Sequence, residues 1–159
     1  MIKIVGSFEG QVKDLLREIF TKLKNYEVIN TNEEPRKIPN PSSKSHFCLN
    51  YKPDFCVKNK RSKYEIFFEI LDTQSEEKTI ADVVRCILYK NCVKAIFITK
   101  DARTASQTKE TIDAVYRGIK ILGKNKNKML DIFTTEADFT VFGRDIIRKE
   151  IETLILTPK

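Results

Sequence analysis

Two acidic residues fall on neighbouring predicted strands, and their chemistry suits a divalent metal ion. Asp54 follows a proline in the strand-like segment 52–58, and Glu69 lies near the end of the strand-like segment 64–71. Apolar and polar residues alternate in both segments, and the basic stretch 59–63 between them predicts a hairpin turn. Mg²⁺ prefers hard oxygen ligands, usually one or two carboxylates together with waters.

The register of this hairpin decides whether the two carboxylates meet. A turn around Arg61 and Ser62 pairs Phe55 with Phe68, Val57 with Ile66, Lys58 with Glu65, Asp54 with Glu69, and Lys52 with Leu71. Apolar residues then face each other, and so do opposite charges, which favours this register. Opposed Cβ atoms lie roughly 5 Å apart, so Asp54 and Glu69 would repel unless a proton or cation lay between them. A slip by one residue would put them on opposite faces, as ordinary exposed charges.

The elements around the hairpin predict an α/β fold, a central mixed sheet with helices on both faces. The first is an amphipathic helix over 8–23 with Ser7 as its N-cap. The others are strand 26–29, helix 76–90, strand 93–99, helix 102–120, strand 128–134 and helix 143–156. The apolar residues of helix 76–90 form one narrow stripe, which comprises Ile80, Val83, Val84, Ile87 and Leu88. As a crossover, helix 76–90 would make the strand after it parallel to the strand before it.

Composition indicates one globular domain over residues 1–159, with a mobile Pro- and Ser-rich loop at about 31–46. The chain is 41% hydrophobic and 32% charged, and its net charge of +7 suits a polyanionic partner. It contains no apolar run of membrane-spanning length and no signal-peptide pattern, so we expect a cytoplasmic, intracellular protein without a membrane partner.

Several other chemistries lack their residues. The single histidine, His46, has no GxSxG nucleophile motif to serve, and no Walker or dinucleotide-binding glycine loop is present. A zinc site of His46, Cys48 and Cys56 matches no familiar spacing, and Cys56 and Cys86 fit better as small buried residues. A Rossmann-like metabolite-binding domain is disfavoured by the missing glycine loop.

In order and motif, these elements resemble the PD-(D/E)XK nuclease superfamily, which has the restriction-endonuclease-like fold. The resemblance covers about 8–122 and rests on Pro53-Asp54, the hairpin, Glu69, the following helix and the strand KAIFIT. It implies a metal-dependent nuclease that cleaves phosphodiester bonds of DNA, with RNA not excluded. Many members of the superfamily are dimers, so the resemblance allows a homodimer.

The same resemblance assigns roles to individual residues. Asp54, Glu69 and the backbone carbonyl of Ile70 would bind Mg²⁺ or Mn²⁺. Glu9, with Glu18 as the alternative, would add an acidic residue from the first helix. Gln74 would reach a phosphate or a bound water, or else cap the next helix.

The lysine that the family places two residues after the glutamate is Leu71 in this chain. A leucine supplies neither charge nor a proton, which leaves three explanations. A lysine from elsewhere replaces it, the site is inactive and the protein is a nucleic-acid-binding or assembly module, or the resemblance is false. Lys52, opposite Leu71 in the predicted register, is the first candidate replacement, and Lys78 is the second.

Two basic clusters are candidates for nucleic-acid contacts. Lys60, Arg61 and Lys63 lie at the predicted hairpin tip, and Lys124 and Lys126 lie in the segment GKNKNK. Lys and Arg contacts to phosphates give affinity without sequence specificity. Solubilising surface charge is the alternative interpretation of both clusters.

Overall fold

The computed structural model describes residues 7–39, 48–71, 76–89, 91–99, 102–121, 129–134, 148–149 and 151–153. Its elements are α1 (Phe8–Lys22), β1 (Tyr26–Ile29), β2 (Arg36–Pro39), β3 (Cys48–Tyr51), β4 (Phe55–Asn59), β5 (Glu65–Leu71), α2 (Glu76–Leu88), β6 (Cys92–Thr99), α3 (Ala102–Ile121) and β7 (Met129–Thr134). No described helix is both long and apolar enough to cross a membrane.

A five-stranded mixed sheet, in the order β1-β4-β5-β6-β7, organises the fold. The β1–β4 and β4–β5 pairs are antiparallel, whereas the β5–β6 and β6–β7 pairs are parallel. The crossover through α2 therefore has the predicted effect of placing β6 parallel to β5. The mixed α/β class is confirmed, and so are the predicted helices and strands from α1 to β7.

The β4–β5 hairpin has the predicted register, with Phe55 opposite Phe68 and Val57 opposite Ile66. The turn spans four residues, closed by the Asn59 N–H, which donates to the Tyr64 carbonyl at 2.8 Å. The Asn59 side-chain oxygen also accepts the N–H groups of the second and third turn residues, both at 3.0 Å. This local capping fixes the turn, and the turn fixes the register.

The predicted start of β4 at Lys52 is wrong, because the strand begins at Phe55. Pro53 has no N–H to give to a sheet ladder, so it interrupts pairing just before the strand. The residues before Lys52 form β3, which pairs with β2 in a separate two-stranded ribbon. Lys52 is therefore not a pairing partner of Leu71.

The ribbon also corrects the predicted loop over 31–46. Strand β2 lies inside that segment and pairs antiparallel with β3, with Arg36 directly opposite Tyr51. Residues 40–47 lie outside the described part of the chain. The prolines and serines that suggest a loop thus belong to a segment that contains an ordered strand.

Helices pack on both faces of the sheet, as predicted. Side chains of α1 pack against the face that carries Phe55, Phe68 and Ile98. The other face, which carries Phe67 and Phe97, is covered by residues of α2, α3 and the ribbon. Alternation along β5 sends successive side chains to opposite faces, so its apolar residues serve both halves of the core.

The buried face of α2 differs from the predicted apolar stripe. Ile80, which was expected in the stripe, is 39% exposed. Among the α2 side chains that the structure describes, Thr79, Asp82, Val83 and Cys86 are buried, and they follow helical spacing. Two polar residues are therefore buried on this helix, and the charge of Asp82 acts on Glu69.

Part of the predicted C-terminal helix is described. Residues 148–149 and 151–153 are helical, and Ile151 is fully buried in the α1-side core. Arg148 forms an ion pair with Glu18 of α1. The rest of the predicted helix over 143–156 lies outside the described residues.

Candidate metal centre

Asp54 and Glu69 meet at the carboxyl end of β5, where each carboxyl group lies close enough to the other to shift its pKa. Asp54 lies in a bend immediately before β4, and Glu69 is the third residue from the end of β5. The second Asp54 oxygen, Oδ2, accepts the N–H of Ile70 at 2.8 Å, which holds the aspartate against the strand. The two residues thus approach as predicted, through this anchor rather than through a strand pair.

The environment of the pair favours its protonated form. Burial raises the pKa of Glu69 well above its usual range, and the nearby charges of Asp82 and Asp54 raise it further. Burial also raises the pKa of Asp54, an effect that the Ile70 N–H partly offsets. Two carboxyl groups this close cannot both ionise without a counter-charge, so a proton or cation belongs between them.

Tyr51 supplies a hydroxyl to the same site and is absent from the sequence-based site. Its hydroxyl donates a hydrogen bond to Glu69, and the Cys86 sulfur lies 3.3 Å from the tyrosine oxygen. The Arg85 guanidinium lies 5.8 Å from the centre of the tyrosine ring, a cation–π distance. Nothing local marks Tyr51, because it reaches Glu69 from the ribbon rather than from the hairpin.

Asp82 is the second site residue that the sequence did not reveal. It is 4% exposed on α2, and its charge raises the pKa of Glu69. Arg85, one turn later, donates to Asp82 at 3.4 Å. The helical spacing of Thr79, Asp82, Val83 and Cys86 is compatible with a buried acidic residue on α2. The apolar Ile80 instead favours the neighbouring face of the helix as the buried one.

The position of the family's lysine lies in the core. Leu71 is 1% exposed and packs among Phe67, Val83 and Phe97 on the α2 side of the sheet. Lys52 is exposed and lines a cleft beside Asp54. It therefore stays a candidate replacement for the missing lysine, although it approaches Asp54 from this cleft and not as the strand partner of Leu71. Lys78, the second candidate, is exposed on the first turns of α2.

The two candidate acidic residues of α1, Glu9 and Glu18, have different surroundings. Glu9 lies close enough to Asp54 for its charge to raise the pKa of that carboxyl, and it pairs with Lys13 at 3.0 Å. Its alternative, Glu18, is instead paired with Arg148. Gln74 lies outside the described residues.

The predicted nucleic-acid contacts on the hairpin turn lie away from the carboxyl pair. Lys60, Arg61 and Lys63 are exposed on the hairpin turn, at the amino end of β5. The strand rise of about 3.3 Å per residue separates this turn from Glu69 by roughly 15–20 Å. Lys124 and Lys126 lie outside the described residues.

The pair meets the minimum requirement for a divalent cation. Within the described ranges, no three or more His, Cys, Asp or Glu side chains are arranged to hold a metal ion. Mg²⁺ commonly takes only one or two protein carboxylates and keeps several waters. Asp54 and Glu69, two neighbouring carboxyl groups, therefore fit such an ion.

Comparisons of the chain with protein-family models, with curated proteins and with solved structures found no match. Any proposal about function therefore rests on the residues of the site itself.

Proposed function

We propose that this protein is a metal-dependent nuclease that hydrolyses phosphodiester bonds of DNA, with RNA as the second substrate class. The observation that carries the proposal is the close approach of the half-buried Asp54 to the buried Glu69 at the carboxyl end of β5. Two ionised carboxyl groups at such a place are a costly arrangement, which is explained if a divalent cation binds between them.

In this proposal Asp54 and Glu69 hold Mg²⁺ or Mn²⁺, with the Ile70 carbonyl as the predicted third ligand. When bound, the cation would polarise the scissile phosphate and lower the pKa of a water ligand. Ile70 N–H and the Tyr51 hydroxyl orient the two carboxylates, because each donates to one of them. Such outer hydrogen bonds keep ligand oxygens aimed at one point.

The proposal extends to the fold family. Pro53-Asp54, the register of the hairpin, Glu69 and the α2 crossover match the arrangement expected of a PD-(D/E)XK nuclease. The mixed sheet with helices on both faces supports this relationship. Leu71 is the departure from it.

A second candidate function follows from that departure. Leu71 is buried, so the strand position that would present a catalytic lysine presents a core residue instead. A nuclease fold that has lost catalysis would serve as a nucleic-acid-binding or assembly module. Both candidates predict nucleic-acid binding, and only the first predicts cleavage that requires a metal.

Plasmid cleavage in Mn²⁺ or Mg²⁺ separates the two functions. We expect nicking by the wild-type protein, no nicking in chelator, and a loss of about 100-fold or more in Asp54→Asn and Glu69→Gln, because each removes a ligand charge. Glu27→Gln, on the exposed part of β1, is the matched control and keeps full activity. Metal-independent DNA binding without cleavage by the wild type would support the binding module.

A further inference from the structure

A cationic cleft of about 420 Å³ opens beside Asp54. It lies between α1, the residues that follow β1 and the residues that precede β4. Its charged lining comprises Lys13, Arg17, Lys52 and Asp54. The lining therefore contains three basic side chains and one carboxylate, and that carboxylate is half of the proposed metal pair.

The walls of the cleft are held by specific contacts. The Thr31 hydroxyl donates to the Pro53 carbonyl at 3.2 Å, which ties the segment after β1 to the segment carrying Lys52 and Asp54. The Asn30 side-chain oxygen accepts the Asn32 N–H at 3.1 Å and stabilises the turn at the rim. These contacts fix the backbone positions from which the polar side chains enter the cleft.

Lys13 and Asp54 line the same cleft, Lys13 from α1 and Asp54 from the segment before β4. Lys13 is only partly exposed, with 30% of its side chain accessible, and Glu9 holds its ammonium at 3.0 Å. Arg17, one turn further along α1, pairs with Asp14 at the surface and can turn into the cleft without breaking a buried contact.

We propose that this cleft binds a backbone phosphate of nucleic acid through Lys13 and Lys52, with Arg17 at its outer edge. The inference rests on the proposed function, which it deepens by naming the cations that face the scissile position. Leu71 leaves the carboxyl pair without a cation from β5, and the cleft supplies that charge from α1 and from the segment before β4. Lysine binds phosphate as a point charge, so its entry from a new direction satisfies the same electrostatic need.

The charge balance of the cleft favours a phosphodiester over a carboxylate metabolite or a base. Lysines supply donors to any anion, but the adjoining pair would take up a divalent cation, and a phosphate can contact both at once. The cleft is lined by few aromatic side chains, with Phe55 alone among its described residues, so base stacking is a minor part of the interaction.

Fluorescence anisotropy of a short labelled DNA duplex tests the inference in chelator, where cleavage cannot interfere. We expect Lys13→Gln/Lys52→Gln to bind about tenfold more weakly at low salt and to lower the slope of log affinity against log salt by about 0.9 per lost contact. Lys22→Gln/Lys24→Gln is the matched control, because it removes the same charge from the end of α1 and just beyond it, outside the cleft. Thermal unfolding confirms that both double variants are folded.

Each outcome decides the inference. It is overturned if both double variants lose affinity equally, if neither does, or if the wild type does not bind the duplex. It is also overturned if inorganic phosphate at matched ionic strength displaces the duplex, because the cleft would then be a site for free phosphate. Loss confined to the cleft variant supports it, even if the wild type fails to cleave DNA, in which case only the nuclease proposal falls.

Discussion

Glu69 is surrounded by groups that control its protonation. Asp54 and Asp82 raise its pKa through their charges, and the Tyr51 hydroxyl lowers it by donating a hydrogen bond. The pKa of Glu69 therefore depends on groups from the hairpin, from α2 and from the β2–β3 ribbon. A divalent cation would reverse the balance by favouring the ionised form of both members of the pair.

Tyr51→Phe tests the role of the hydroxyl. We expect the pKa of Glu69 to rise further and the affinity for Mn²⁺ at neutral pH to fall about tenfold, because a proton then competes better with the cation. The free energy of unfolding should fall by only about 1 kcal/mol. Mn²⁺ titration and urea denaturation measure the two effects. Tyr64→Phe, half-exposed beside the hairpin turn, should change neither, and equal Mn²⁺ affinity in Tyr51→Phe would refute the assignment.

The variant Leu71→Lys tests whether a lysine can occupy the position at which the PD-(D/E)XK motif has one. The side chain at this position is 1% exposed within the core. We expect the substitution to lower the free energy of unfolding by about 2–3 kcal/mol, because it buries an ammonium group. Leu71→Met, which conserves volume, should cost less than about 1.5 kcal/mol. Urea denaturation compares them, and a fully stable lysine variant with faster cleavage would contradict the core assignment of Leu71.

At the scale of elements, the β2–β3 ribbon is attached to β5 at two points. Arg36 and Tyr51 are cross-strand partners in the ribbon, and they reach Glu65 and Glu69, which lie four residues apart on one face of β5. Glu65 is fully buried and also accepts the Tyr89 hydroxyl at 2.7 Å. The Arg36–Glu65 ion pair therefore positions the element that carries Tyr51.

A double-mutant cycle measures this attachment. Arg36→Met should cost about 3–5 kcal/mol of unfolding free energy, because it removes one partner of a buried ion pair and leaves Glu65 without its cation. Arg36→Met combined with Glu65→Met should cost clearly less, since no charge is then left unpaired. Arg61→Met, on the exposed turn, serves as control and should lie within about 0.5 kcal/mol of wild type. Additive losses in urea denaturation would show that the pair is not coupled.

The sequence predicts those parts of the site that local rules control. The β4–β5 register follows from side-chain pairs close in sequence, and the meeting of Asp54 with Glu69 follows from it. The ribbon could not be predicted, because the segment of Arg36 has the composition of a loop and its burial depends on a contact with Glu65 that is remote in sequence. Lys58 lies opposite Glu65 as predicted, and Arg36 forms the buried ion pair with that glutamate.

The positions of Asp82 and Lys13 in the site could not be predicted from the sequence either. Each lies on a helix whose amphipathic pattern was recognised, yet their importance depends on how that helix is rotated against the sheet. A shift of one residue in the buried face of α2 exchanges Ile80 for Thr79 and brings Asp82 inward. Apolar periodicity predicts that a helix has a buried face more reliably than it predicts which residues lie at the centre of that face.

For the whole molecule, the carboxyl pair predicts an unusual dependence of stability on pH. Ordinary carboxyl groups titrate near about pH 4 in the unfolded chain, and those of Glu69 and Asp54 titrate higher in the fold. Between these values the folded state binds more protons, so this contribution is fully present below the unfolded pKa and is lost as pH rises through the folded pKa.

In chelator we therefore expect the free energy of unfolding to fall as pH rises above the unfolded pKa of about 4, by at most about 1.4 kcal/mol per pH unit for each proton. Saturating Mn²⁺ should reduce the fall, and Glu69→Gln should flatten it. Urea denaturation across the pH series provides the measurement, with Glu27→Gln as the exposed control. A stability that rises with pH in wild type but not in Glu69→Gln would reverse the assignment.

The most direct test of the central claim is the anomalous scattering of crystals of the full chain grown or soaked in Mn²⁺ at neutral pH. A cation bound by the pair should give one anomalous peak between the carboxylates of Asp54 and Glu69, at roughly 2.0–2.3 Å from an oxygen of each. Asp54→Asn crystals treated in the same way should lose that peak. Wild-type crystals in saturating Mn²⁺ that show no peak there, with the two carboxyl groups still next to each other, would contradict the claim.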